Sequence, residues 1–157
     1  MTRSDFVARG GLWVLAQIPL LLLVFIVPVW SGSGEHVPRH PLSVVGAALT
    51  AMAVLLTVWG LKSLGDALTP FPKPLSGVRL RRQGVYRWMR HPIYSGVMLA
   101  SLGWALWWLS LAGVFSALIL ALFFDRKAAH EETGLCAQYK DYPDYAREVK
   151  KFIPGVY

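Results

Sequence analysis

The chain has 157 residues, of which 55% are hydrophobic and 16% charged, with a mean hydropathy of +0.44. Ordinary soluble domains carry roughly 25% charged residues, so this composition excludes a disordered chain and argues against a soluble one. The length allows about one domain, and 16 Lys and Arg against 9 Asp and Glu leave a net charge of +7 whose meaning depends on where the basic residues lie.

Gly11 to Trp30 is a charge-free run of 20 residues, and Leu42 to Leu61 is another. A helix rising about 1.5 Å per residue needs roughly 20 apolar residues to cross about 30 Å of hydrocarbon, so each run predicts a transmembrane helix. The first run is flanked by Arg3 and Arg9 before it and by Ser31 and Ser33 after it, as a leader peptide would be. Its apolar length exceeds the roughly 7–15 residues of a leader core, so it is expected to stay in the protein.

Between Ser31 and Pro41 the charged residues are Glu35 and Arg39, whereas Lys62 to Arg90 holds Lys62, Lys73, Arg79, Arg81, Arg82, Arg87 and Arg90 against the single acid Asp66. Cytoplasmic loops gather Lys and Arg, which places this basic segment in the cytoplasm and accounts for the positive surplus without nucleic acid. Within it Pro70, Pro72 and Pro74 forbid a regular helix and Gly77 and Gly84 permit turns, so a structured loop or short strand-like segment is expected.

Pro92 to Phe124 has 33 uncharged residues, which best fits a tight hairpin of two short helices. Its turn is expected around Trp107 to Gly113, with Trp107 and Trp108 at a membrane interface. Gly96 and Ala100 are expected to pack the two arms together. Phe124 to Lys140 continues the second arm into water, ending near Gly134 or Pro143, and Asp144 to Lys151 predicts a short further helix. Phe152 to Gly155 is too apolar for a free tail and is expected to fold back. The fold class is therefore all-α: an integral membrane bundle of about four transmembrane helices, the last two a tight hairpin, with a cytoplasmic C-terminal helical segment and both termini on the cytoplasmic side. The lone Cys136 offers no internal disulfide.

The polar residues suited to chemistry gather at the entry and exit of the hairpin. At the entry, Pro92 is placed to open a helix whose first N–H groups suit a carboxylate or phosphate. Arg90 and His91 just before it read either as interfacial anchors, with His91 a capping residue, or as ligand groups. At the exit, Lys127 and Glu131 share one helix face, as do Arg126 and His130. An ordinary ion pair on a solvated turn and a seat for a charged ligand are both open on spacing alone.

Taken together, Gly84-Val85-Tyr86, Arg90-His91-Pro92-Ile93-Tyr94-Ser95-Gly96 and Glu131-Glu132 with Leu135 resemble the isoprenylcysteine carboxyl methyltransferase family of small integral membrane enzymes. Tyr142, Tyr145 and Phe152-Ile153-Pro154 extend the resemblance, which spans about Pro70 to Tyr157. It implies a cofactor pocket for S-adenosylmethionine that opens to the cytosol, lined by residues resembling the family's contacts: Val78, Arg79, Leu80, Arg81, Tyr86, His91, Pro92, Ile93, Tyr94 and Glu131. It further implies a role for Glu131 in the reaction. Lys127 stands where the family has an arginine thought to engage the substrate carboxylate, with Arg126 beside it; lysine supplies a point charge where arginine supplies a two-pronged fork.

On this reading the chain is a single membrane domain, with 1–69 supplying two transmembrane helices and 70–157 the cofactor-binding loop, hairpin and C-terminal segment. No metal is required, and the acceptor is lipophilic or membrane-associated, entering sideways from the bilayer. An NADPH-dependent membrane reductase and a non-enzymatic membrane subunit are the competing readings; the sequence leaves the oligomeric state open.

Overall fold

The structure, a computed structural model, describes residues 3–33, 40–73 and 77–157. Glu35, Arg39 and Pro74 lie outside the described residues. Six α-helices follow in order: α1 Arg3–Ala8, α2 Gly11–Ser31, α3 Pro41–Leu64, α4 Pro92–Trp107, α5 Leu111–Gln138 and α6 Tyr142–Glu148. Among the described residues no strand forms between α3 and α4. That segment is irregular, with short 3-10 turns at Gly65–Ala67 and Gly84–Arg87 and a single bridge pairing Met89 with Lys150.

Among the described residues two helical stretches, Gly11–Ser31 and Pro41–Ala67, are long and apolar enough to cross a membrane. Only 11% and 17% of their most apolar windows are buried inside the protein, which leaves their outer faces for a hydrocarbon solvent. A helix apolar all round gives no sequence signal for which face packs; small residues decide it for α3. Ser43, Gly46, Ala53 and Gly60 are buried along one stripe, and α4 runs antiparallel against it. A Cβ on Gly103 of α4 would stand 2.7 Å from the Gly46 carbonyl oxygen, and one on Gly96 would collide with the Thr57 hydroxyl. Gly96 thus packs against α3 and not across the hairpin, because α3 carries the complementary small residues that let two backbones approach.

α2 packs mainly on α5, also antiparallel. Val24 is buried with Leu120 and Phe124, Trp13 lies on Phe123 with centroids 5.6 Å apart, and the Ser31 and Ser110 hydroxyls are 2.6 Å apart at the far end. Three residues, Trp108 to Ser110, join α4 to α5; Leu109 has φ of 52° there, and the Ser110 hydroxyl accepts from the Gly113 N–H at 2.8 Å to start α5. α5 then continues unbroken past Gly134. α6 begins two residues before the expected Asp144, since Pro143 falls in the first turn, where a missing N–H leaves nothing unpaired. Beyond it the chain returns to the bundle: Phe152 is buried, and its carbonyl accepts from the Ser95 hydroxyl at 2.9 Å.

α1 was not foreseen from sequence. Phe6 meets the edge of Phe71 at 5.7 Å and the Arg9 guanidinium lies 4.3 Å over the same ring, so the N-terminal segment clasps the segment that follows α3.

Gly103→Val should force α3 and α4 apart. Overpacking of this kind costs about 1–3 kcal/mol, and the expected result is a lower Tm in detergent or nanodiscs than for Ala129→Val on the exposed side of α5.

Candidate functional site

The site is built where the start of α2, the end of α3, the start of α4 and the C-terminal half of α5 converge. Pro92 fixes the first turn of α4, with His91 at the cap position and Arg90 just before it. Their N–H groups donate to the carbonyls of Lys150 and Lys151 at 2.9 and 3.0 Å, which turns both side chains toward α5. There a single oxygen, Glu132 Oε1, accepts from Arg90 Nε and from His91 Nε2, each at 2.9 Å. The side chain of His91 therefore does not cap α4, although its backbone occupies the cap position. Arg90 also donates from Nη1 to the carbonyls of Ala146 and Val149, at the end of α6.

Burial alone would raise the Glu132 carboxyl, but hydrogen bonds from His91 and Arg90 outweigh it and hold its pKa down to about 2, from an ordinary 4.5. The tyrosines packed around this node shift the other way. Burial pushes the Tyr145 hydroxyl up to about 12 despite nearby Arg90 and Arg82, and it donates to the Tyr86 carbonyl at 2.6 Å. Burial also raises Tyr86 and Tyr142. The Tyr142 hydroxyl is buried with no hydrogen-bond partner among the described residues.

One residue earlier on α5, Glu131 accepts from the Tyr94 hydroxyl at 2.9 Å and lies 4.0 Å from His91 Nδ1. The His91 ring stacks parallel on Tyr94 at 5.4 Å, and Tyr94 stacks on Phe124 at 4.7 Å. A turn before Glu131, Lys127 is 3% exposed; its ammonium donates to Gln17 Oε1 of α2 and lies 5.2 Å from the Tyr94 ring centre. Lys127 and Glu131 thus share a face without forming an ion pair, each being drawn to a different partner.

These groups surround a cavity of about 420 Å³. Val78, Arg79, Leu80, Arg81, Tyr86, His91, Ile93, Tyr94, Lys127 and Glu131 all line it. Two residues singled out from sequence do not. Pro92 is buried against Gly60 of α3, and Arg126 points to the exposed side of α5, about 100° around the helix from Lys127. Arg81 is paired with Asp66, and the Tyr139 hydroxyl holds the Val78 carbonyl at 2.7 Å, which fixes the lining segment in place. Sequence reasoning missed Val14 and Gln17, the contribution of α2. The available signal was that Gln17 is the one side-chain amide in a 20-residue apolar run, since polar side chains inside such runs are rare and usually functional.

A second, separate and almost wholly apolar cavity of about 550 Å³ lies farther along the same helices. Gln17 gives way to Leu21 on α2, Leu61 to Val58 on α3 and Ile93 to Val97 on α4, ending at Trp104.

The sequence matches the phospholipid methyltransferase family over residues 42–141. The chain belongs to this family. Two relatives from rice, Oryza sativa subsp. indica and subsp. japonica, each described as a probable protein-S-isoprenylcysteine O-methyltransferase, are 35% identical over 80 residues. The matched stretch covers 50% of this chain and 42% of each rice protein, in agreement with the resemblance drawn from Arg90–Gly96 and Glu131-Glu132. In this phospholipid methyltransferase family member the matched region runs from α3 through α5 and leaves α1 and α2 outside it.

Because the Glu132 carboxyl is depressed in the folded protein, its stabilising contribution is complete above pH about 4.5 and is lost as pH falls toward about 2. Glu132→Gln is expected to lower Tm at neutral pH and to flatten the further fall of Tm between pH about 4.5 and about 3, as read by thermal denaturation across that range.

Proposed function

We propose that the protein is a membrane-embedded methyltransferase that binds S-adenosylmethionine in the 420 Å³ cavity and methylates the carboxylate of a lipophilic acceptor. The observation that carries this reading is a pair of cavities along the same helices: one with Lys127 and Glu131 on its wall, and a separate, almost wholly apolar one between α2, α3 and α4. The residues fit the cofactor. A carboxylate at Glu131 suits a cationic ligand, and the Tyr142 hydroxyl, buried and unpartnered, is available to a polar one. Val78, Arg79, Leu80, Arg81, Tyr86, His91, Ile93, Tyr94 and Glu131 would hold it, with Pro92 fixing the turn that presents His91 through Tyr94.

When bound, the cofactor supplies a methyl group already activated on a sulfonium, so the protein's task is positioning and exclusion of water. Lys127 holds the acceptor carboxylate as a single point charge in place of the family's arginine fork. Arg126, on the exposed side, takes no part. Glu131 balances positive charge in the cavity and is held by Tyr94. The His91–Tyr94–Phe124 stack forms an aromatic wall against water. With an amine acceptor, Glu131 or His91 would take the proton.

The proposed topology has four crossings, α2, α3, α4 and α5, with the basic segment 62–90, the site and both termini in the cytoplasm. α4, at 16 residues, spans roughly 24 Å, a short crossing. The apolar cavity then lies at the depth of the lipid tails and receives the acceptor's apolar part from the bilayer.

The test uses the full chain in nanodiscs. S-adenosylhomocysteine should raise Tm and NADPH should not, and label should pass from methyl-labelled S-adenosylmethionine to an N-acylated S-prenylcysteine but not to its methyl ester. Removing a charged hydrogen-bond partner costs about 1.5–3 kcal/mol, so Lys127→Ala should lower kcat/KM roughly 10- to 150-fold. Stabilisation by NADPH alone, or methylation only of water-soluble acceptors, would overturn the reading.

A further inference from the structure

Lys127 carries a charge in an unusual setting. Its ammonium is buried, yet it belongs to none of the ion pairs among the described residues. Of the acids on its own helix, Asp125 is engaged by Lys151 and Tyr157 and Glu132 by Arg90 and His91, while Glu131, held by Tyr94, acts on the Lys127 charge without forming an ion pair. Its other neighbours are the ring faces of Tyr94 and Phe124, at 5.2 and 6.0 Å, and the amide oxygen of Gln17. A buried cation held by a dipole and two π faces, with the Glu131 charge near it but no ion pair formed, is oriented and keeps its hydrogen-bonding capacity for an anion brought in from outside.

Gln17 comes from α2, which lies outside the family match at residues 42–141, and it bonds across 110 residues of sequence. Its position is set by the α2–α5 seam: Trp13 stacks on His130 one turn to one side, and Val24 packs on Leu120 and Phe124 two turns to the other. Both Gln17 and Lys127 line the 420 Å³ cavity.

We infer that Gln17 is a positioning residue that aims the Lys127 ammonium at the acceptor's anionic group, and that its neutrality keeps that charge for substrate. An acid at this place would pair with Lys127 and cancel the receptor; an apolar residue would leave its amine unaimed. On this view α2 completes the anion seat as well as anchoring the protein. The inference rests on the proposed role of Lys127.

The probes are dodecanoate and its methyl ester, titrated calorimetrically into full-length protein in zwitterionic nanodiscs saturated with S-adenosylhomocysteine. Wild type should bind the anion at least about tenfold more tightly than the ester, the size expected for a hydrogen bond to a charged group. Gln17→Glu should abolish that preference although Lys127 is intact, Gln17→Met should reduce it several-fold, and Lys127→Met should abolish it. S-adenosylhomocysteine affinity should be retained in all three. If Lys127→Met loses the preference while Gln17→Glu and Gln17→Met keep it, the role of Lys127 stands and that of Gln17 is overturned. Loss of S-adenosylhomocysteine binding in parallel with the preference would make Gln17 a packing residue and also overturn the inference. If wild type itself shows no preference, the reading of Lys127 falls together with that of Gln17.

Discussion

The arrangement turns on one carboxylate oxygen. Glu132 Oε1 accepts two hydrogen bonds from consecutive residues, Arg90 and His91, that stand 42 and 41 residues earlier in the chain, just before α4. An unpaired carboxylate so nearly buried would cost several kcal/mol, whereas one met by two donors settles in its charged form and dictates where those donors stand. From this point order spreads in two directions. The His91 ring, held in plane, sets Tyr94 and through it Phe124. The Arg90 guanidinium, already tied to α5, reaches the open carbonyls at the end of α6, where a cation also meets the negative end of the helix. Three helices and the returning tail are thereby referred to one atom.

Neighbouring acids on α5 consequently hold different positions. Glu132 is consumed by structure, and Glu131, rotated by about 100° on the helix, faces the cavity with a tyrosine as its partner. A similar division runs through the basic segment. Arg81 and Arg82 are paired with Asp66 and Asp141, and Arg90 is the clasp, while Arg79 stands exposed at the cavity wall. The positive surplus of the composition therefore includes separate things: local pairing, an exposed group at the cavity wall and one internal fastening.

The helices themselves were legible because charge-free runs of about 20 residues have few alternatives in length or environment. The cavity lining between Val78 and Glu131 was legible through motif resemblance, since the short ordered motifs stand at the ends of α4 and α5 that the fold brings together. What was not legible depended on facing. α2 and α3 are apolar on every side, so nothing in their periodicity assigned α2 to α5, or Gly96 to the small-residue stripe of α3. The choice between Arg90 as a ligand and Arg90 as a clasp depended on α6, whose carbonyls come within reach only after the chain doubles back. Arg126 and Lys127 are adjacent in sequence and chemically alike; only the rotation of α5, set by the packing of Leu120 and Phe124, buries one and exposes the other.

The pairing of helices also has a temporal side. α3 and α4 are neighbours in sequence and pack on each other, so their small-residue interface can close while the rest of the chain is still being made. α2 emerges before either, yet its partner is α5, which comes last of the long helices. Until α5 arrives, Gln17 has no ammonium to hold and the Val24 face stays open. Among the described long helices, the one made before the others thus meets its main partner after them, and the cavity gains its Gln17–Lys127 wall only once α5 is in place.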